Sequence, residues 1–195
     1  QLGDCVFFDK DRNRYSAHFL FADTAFYDVF PRPVLLGNVE ETLGRPGYAI
    51  VSRTIAETIG KGESVIGKSI QLDNFPGRII TIGAVFEDVP ENTHLKYDVA
   101  ISIVSFKSFH QFDSTEGWLG SDRYLGYVKL AQGVTPEKIA TSLRSMQERH
   151  QDLVEMQKSG VDLYYSLLPL TEVHSGKPEA KRMSVLLGLL AFALM

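Results

Sequence analysis

The sequence predicts an α+β fold in which a mixed sheet carries helices. Short runs that alternate polar and apolar residues mark strands, Ser69 to Asp73 being the cleanest. One longer segment after Thr135 carries a helical stripe, with Ile139, Leu143 and Met146 spaced by four and three. Strands and helices mix without the regular order of βαβ units, which argues against a doubly wound parallel sheet.

Taken in order, Tyr15 to Phe21 alternates loosely, is rich in aromatics, and reads as a strand. Asp23 and Thr24 offer an N-cap for a short helix through Phe30, which Pro31 and Pro33 end. Leu35-Leu36-Gly37 reads as a turn entry, Val39 to Leu43 as one helical turn, and Ala49 to Val51 as a brief strand. Ser52 can cap a helix running to Ile59, with Gly60 as its stop. Arg78 to Phe86 is a longer β-rich run, joined to Ser69–Asp73 by the hairpin turn Asn74-Phe75-Pro76-Gly77. Tyr97 to Val104 follows as a strand, then Phe106 to Gly120 as loop with a helical turn, and Tyr124 to Leu130 as another strand. Thr135 caps the clearest helix, with Pro136 at its first position and Glu137 behind it. Val161 to Leu170 reads as the final strand.

With 195 residues, 44% of them hydrophobic and 23% charged, the chain can bury a sizeable core without disulfides. Its net charge of −4 and the absence of a basic patch argue against a nucleic-acid partner. The single Cys5 has no second cysteine for a disulfide or a tetrahedral metal site. Histidines 18, 94, 110, 150 and 174 never take the i, i+4 spacing of a helical metal pair, and no G-x-S-x-G elbow occurs. No catalytic, cofactor-binding or metal-ligating residue is assigned, and the chain is not read as an enzyme.

Gly62-Glu-Ser-Val-Ile-Gly67-Lys68-Ser69 matches the phosphate-binding pattern G-x-x-x-x-G-K-[ST] letter for letter. Phosphate binding requires a strand before the loop and a helix after it, so that loop amides and the helix N-terminus converge on the anion. Here a helix leads in and a strand leads out. Glu63 would also set a negative charge beside the phosphates. The segment is expected to be a helix-to-strand connection, and a nucleotide-binding enzyme is the disfavoured alternative.

Asp88-Val-Pro90-Glu91-Asn92-Thr93-His94 is dense in turn formers between two β-rich runs. It has two readings, a connection shaped by its own hydrogen bonds or an exposed loop that meets a partner. Asp88, Glu91, Asn92 and His94 are the candidate contact residues.

The end of the chain differs in character. Residues 183–195 read MSVLLGLLAFALM, without a charge, directly after Lys181 and Arg182. A membrane-spanning helix takes about 20 apolar residues, so this run has the length of the first part of one. A buried C-terminal helix is the alternative.

The run Ile80-Thr-Ile-Gly83-Ala-Val-Phe86-Glu-Asp88-Val-Pro90-Glu-Asn92-Thr-His94-Leu-Lys-Tyr97-Asp98-Val-Ala-Ile-Ser102-Ile103 resembles the most recognisable stretch of MacB-like periplasmic core domains, found in FtsX-like ABC-transporter permeases. Phe21 to Phe30, Leu36-Gly37 with Leu43, Ala49 to Ser52 with Ala56, Ile66-Gly67-Lys68 and Leu168 to His174 resemble the same family in the same order. The resemblance covers residues 19–174. Family members usually carry a membrane helix and an opening strand and helix ahead of the part corresponding to Tyr15, which this chain lacks or begins within. The resemblance implies two small lobes, one porter-like and a second α/β lobe. It implies an extracytoplasmic domain over 1–175, a juxtamembrane linker over 176–182 and the start of a membrane helix over 183–195. It further implies a permease in the cell (inner) membrane, with this domain facing the periplasm or exterior. The implied partners are a cytoplasmic ABC ATPase, a second permease copy in a dimer, and a periplasmic adaptor, lipoprotein or peptide. No cofactor is implied. A stand-alone extracytoplasmic ligand-binding protein is the other alternative.

Overall fold

The structure, a computed structural model, describes residues 3–73, 75, 77–109 and 124–173. The linker at 176–182 and the apolar run at 183–195 lie outside the described residues, as do His110, His174 and most of the expected loop 106–120. The chain divides into two compact units, residues 1–129 and 130–195.

In the first unit the elements are β1 (Gly3–Asp9), β2 (Arg14–Ala22), α1 (Phe26–Val29), β3 (Val34–Gly37), α2 (Val39–Leu43), β4 (Tyr48–Ser52), α3 (Arg53–Gly60), β5 (Ser69–Leu72), β6 (Ile79–Phe86), β7 (Val99–Ser102) and α4 (Phe106–Phe109). The seven strands form one mixed sheet in the order β3-β6-β4-β7-β2-β1-β5. Strands β2 and β7 run parallel, as do β4 and β6, and the other pairs are antiparallel. Strand β5 also pairs with β6, so the ladder closes on itself. Strand β3 remains as a flap on the edge of β6 beyond β5.

The alternation of buried residues divides the core between two faces. Phe19, Ala49, Val51, Ile80, Ile82, Val99 and Ile101 pack with Ile55 and Ile59 of α3. Leu20, Ile50, Ala84, Phe86 and Ala100, one residue out of phase, pack with Val39 and Leu43 of α2. Each of the valine, leucine, isoleucine and phenylalanine side chains among them contributes about 1.5–3 kcal/mol by leaving water. Strand β6 serves both faces because its register against β4 shifts: Ala49 pairs with Ile82 but Ile50 pairs with Ala84. The bulged residue is Gly83. It sends Ala84 and Phe86 to the face opposite Ile80 and Ile82, where strict alternation would keep all four together.

Several expectations are corrected. Gly3–Asp9, which sequence reading alone does not assign, is a strand held by β2 and β5 with Phe7 fully buried. Leu35-Leu36-Gly37 is part of strand β3, stabilised by antiparallel pairing with Val85 and Ala84. No side chain caps α1; the Asp23 carbonyl accepts from the Phe26 amide instead. Helix α3 is capped by Ser52 as expected, but the left-handed residue at its end is Lys61, with φ of 51°. Gly60 is inside the helix, where a Cβ would meet Val65 Cγ1 at 3.1 Å. Tyr124 to Leu130 and Val161 to Leu170 join no ladder among the described residues.

In the second unit, α5 (Pro136–His150) follows Thr135, and α6 (Leu153–Lys158) is capped by the Asp152 carboxylate on the Glu155 amide. Buried Gln147 donates from Nε2 to the Leu163 carbonyl at 3.3 Å, fastening the chain after α6 to α5.

Candidate functional site

The loop from Asp88 to His94 leaves β6 at the end where β6 runs beside β4, and β4 leads straight into α3. That places Asp88 at the N-terminus of α3, whose first amides have no partner within the helix. Ser52 Oγ accepts from the Ile55 amide at 3.4 Å. The Asp88 carboxylate accepts from the Thr54 amide at 3.0 Å and from its hydroxyl at 2.9 Å. Arg53 pairs with Glu87 beside it. Partial burial pushes the Asp88 carboxyl up, but the Thr54 and Ser52 hydrogen bonds and the Arg53 charge outweigh it and hold the group below its ordinary value.

The other end of the loop is anchored by rings. His94 Nε2 is 3.1 Å from the Tyr127 hydroxyl. The His94 ring lies edge-on to Phe30 at 6.1 Å, and Phe30 meets Tyr127 edge-to-face at 4.8 Å. Leu95 and Tyr97 continue into the core, and burial pushes the Tyr97 phenol up. Between these anchors Glu91 and Asn92 form an exposed turn. The four sequence candidates therefore separate into two fastening residues, Asp88 and His94, and two at the free tip, Glu91 and Asn92.

The phosphate-loop lookalike does not form a cradle. Several of its amides are engaged: Glu63 donates to the Gly60 carbonyl, Gly67 to the Ile82 carbonyl at 2.8 Å and Lys68 to the Val65 carbonyl. The Lys68 ammonium pairs with Glu63 at 3.3 Å. Among the described residues no cluster of three or more His, Cys, Asp or Glu could hold a metal ion.

Sequence reasoning missed a cleft of about 160 Å³ bounded by Phe21, Phe26, Phe30, Phe106, Tyr124 and Tyr127, with Asp23 at its wall. The aromatic density between Phe19 and Phe30 was its one sequence signal, but the partners at 124–127 come from a distant segment.

The first unit thus combines a mixed, closed sheet with a polar loop anchored at both ends. The sequence matches the MacB-like periplasmic core domain over residues 6–146. Among solved structures, a domain described as belonging to a permease protein of Porphyromonas gingivalis is 35% identical with a TM-score of 0.75, over 86% of this chain and 69% of that one. The periplasmic region of MacB from Actinobacillus actinomycetemcomitans has a TM-score of 0.51 at 10% identity, over 84% of this chain and 75% of that one, and shows likeness of fold. The extracellular domain of the ABC-type transporter YknZ from Gram-positive bacteria is 14% identical with a TM-score of 0.43, over 55% of this chain and 54% of that one. A comparison with curated proteins gives no match. The chain belongs to the family of MacB-like periplasmic core domains, the periplasmic domains of ABC-type permeases. Among the described residues no helix is long and apolar enough to cross a membrane.

Proposed function

We propose that this chain is the extracytoplasmic domain of an FtsX-like permease that couples ATP-driven motion of membrane helices to export, lipoprotein handling or other periplasmic work. The observation that carries the reading is the family match over residues 6–146, from β1 to within α5. On this reading residues 1–175 lie outside the membrane, 176–182 form the juxtamembrane linker, and 183–195 begin a membrane helix. The chemistry of ATP hydrolysis belongs to a cytoplasmic ATPase, and two permease copies work as a dimer.

Partner contact falls to the loop tip. Glu91 and Asn92 are exposed while Asp88 and His94 fix the two ends, so a partner would meet a turn that is polar and already ordered. The partner would be a periplasmic adaptor, a lipoprotein or a peptide.

Topology gives the test. In the complete permease with its native cysteines, Cys5 among them, replaced by serine, a single cysteine at Asn92→Cys is exposed to a membrane-impermeant maleimide added to intact cells with the outer membrane permeabilised. Labelling before lysis is expected. Labelling that appears only after lysis would overturn the placement.

A second reading, ligand capture by the domain itself, is favoured by the aromatic cleft around Phe30 and Tyr127. Aromatic walls suit an apolar group.

A further inference from the structure

Strand β3 is the open edge of the sheet. Among the described residues it pairs with β6 alone, so one side of its backbone has no strand partner there. Exposed edge strands usually carry charges or prolines that discourage further pairing. Val34, Leu35 and Leu36 have neither, although Pro33 precedes them and the register against β6 slips between Val34 and Leu36, and they stand 45%, 37% and 49% exposed in succession. Pro33 and Asn38 bound the strand, leaving a window of four residues.

Beside that edge is a cleft of about 450 Å³, lined by both ends of β3 (Val34 and Gly37), by Tyr27, Asp28 and by Val39 and Glu40. Its lining includes the buried Val39, beside polar Thr24 and Asn38. The charged side chains on its wall, Asp28 and Glu40, are both acidic.

From this edge and cleft together, we infer that β3 is a docking site for an extended peptide segment of a partner, one that alternates aliphatic and basic residues. Unpaired backbone amides and carbonyls are satisfied by another strand and by little else of comparable geometry, which fixes the class of occupant. Side chains on a strand point alternately to opposite faces, so every second residue of the guest turns toward the cleft. There an aliphatic stem meets Val34 and Val39 while a basic head meets Asp28 and Glu40. This surface does not depend on coupling to an ATPase. Its lining residues include neither Glu91 nor Asn92 of the loop tip.

The test uses the complete chain and a synthetic nine-residue peptide of alternating lysine and valine. A second peptide of identical sequence and charge is N-methylated at alternate residues, which removes backbone donors. The first should bind and slow amide exchange at residues 34–37. The N-methylated peptide should bind about ten-fold more weakly, the loss expected for one or two backbone hydrogen bonds. Leu35→Lys should weaken the first peptide by a similar factor, with Leu36→Lys as a second variant and far-UV circular dichroism to confirm folding. Equal binding of the two peptides would reduce the effect to charge attraction and overturn the inference. So would binding without protection at β3. Self-association abolished by Leu35→Lys, with no peptide binding, would assign the edge to a second copy instead and overturn it as well.

Discussion

Thr42 fills the space that a side chain on Gly83 would need. A Cβ built on Gly83 would lie 2.5 Å from Thr42 Oγ1 and 2.7 Å from Cγ2, so α2 rests directly on the backbone of the β6 bulge. Gly37, at φ +78°, closes the same junction, since its Cβ would fall 2.1 Å from the Gly83 carbonyl oxygen. Thr42 is buried and its hydroxyl donates to the Asn38 carbonyl, so it cannot easily turn away.

Gly83→Ala is accordingly expected to cost about 1–3 kcal/mol through overpacking. Thr42→Ala removes both clashing atoms, so the double variant should be less destabilised than the sum of the two single ones. Urea unfolding of all four chains measures that coupling. Strict additivity would mean that α2 and β6 are not in contact at this point.

Asp88 links β6 to α3 through the Thr54 amide and hydroxyl. Asp88→Ala should lose about 1 kcal/mol, the usual worth of a helix-capping side chain. The contribution is pH-dependent with a definite sign. Because the folded pKa lies below the ordinary carboxylate value, the stabilisation is complete above that value and is lost as pH falls through the folded one. Unfolding midpoints measured from neutral to acid pH should converge for the wild type and Asp88→Asn at the acid end. A difference that persists unchanged to the lowest pH would show that the carboxylate charge is not the source.

The loop between Gly62 and Ser69 should bind no nucleotide. Titration calorimetry with ATP and magnesium is expected to show no saturable heat, and Lys68→Ala to change nothing. Gly67, at φ +82° with open space around it, is needed for its backbone conformation alone. Gly67→Ala should therefore destabilise by about 1–2 kcal/mol, the cost of a left-handed residue with a Cβ. Saturable ATP binding lost in Lys68→Ala would contradict the geometry.

Much of the first unit was legible in the sequence because its signals are local. Ser52 caps α3 and Ser69–Leu72 forms a hairpin with Ile79–Phe86, as alternation and turn residues indicate. What escaped depends on partners distant in sequence. Strand β1 is held by Leu72 and Ile70 across the sheet as well as by its neighbour β2, and its turn charges, Asp9 to Arg14, obscured the apolar Val6-Phe7-Phe8. Alternation at Tyr124–Leu130 and Val161–Leu170 says that a segment can be a strand, not that a partner is present. The Gly83 bulge was invisible for the same reason: Ile80, Ile82, Ala84 and Phe86 look like one face until β4 shifts register beneath them. In the candidate loop the residue types alone could not separate anchors from tip.

That separation makes the last prediction. Glu91 and Asn92 are exposed and outside the anchoring bonds, so Glu91→Lys with Asn92→Lys should alter unfolding by no more than about 0.5 kcal/mol. His94→Ala removes the bond to Tyr127 and the ring packed on Phe30, and should lose about 1–2 kcal/mol. If the tip meets a partner in the complete transporter, the charge-reversed pair should weaken transport or partner-stimulated ATP hydrolysis while the folded domain stays intact. His94→Ala would reduce both stability and activity. A tip variant with full activity, alongside a destabilised but active His94→Ala, would reduce the loop to a connection between β6 and β7.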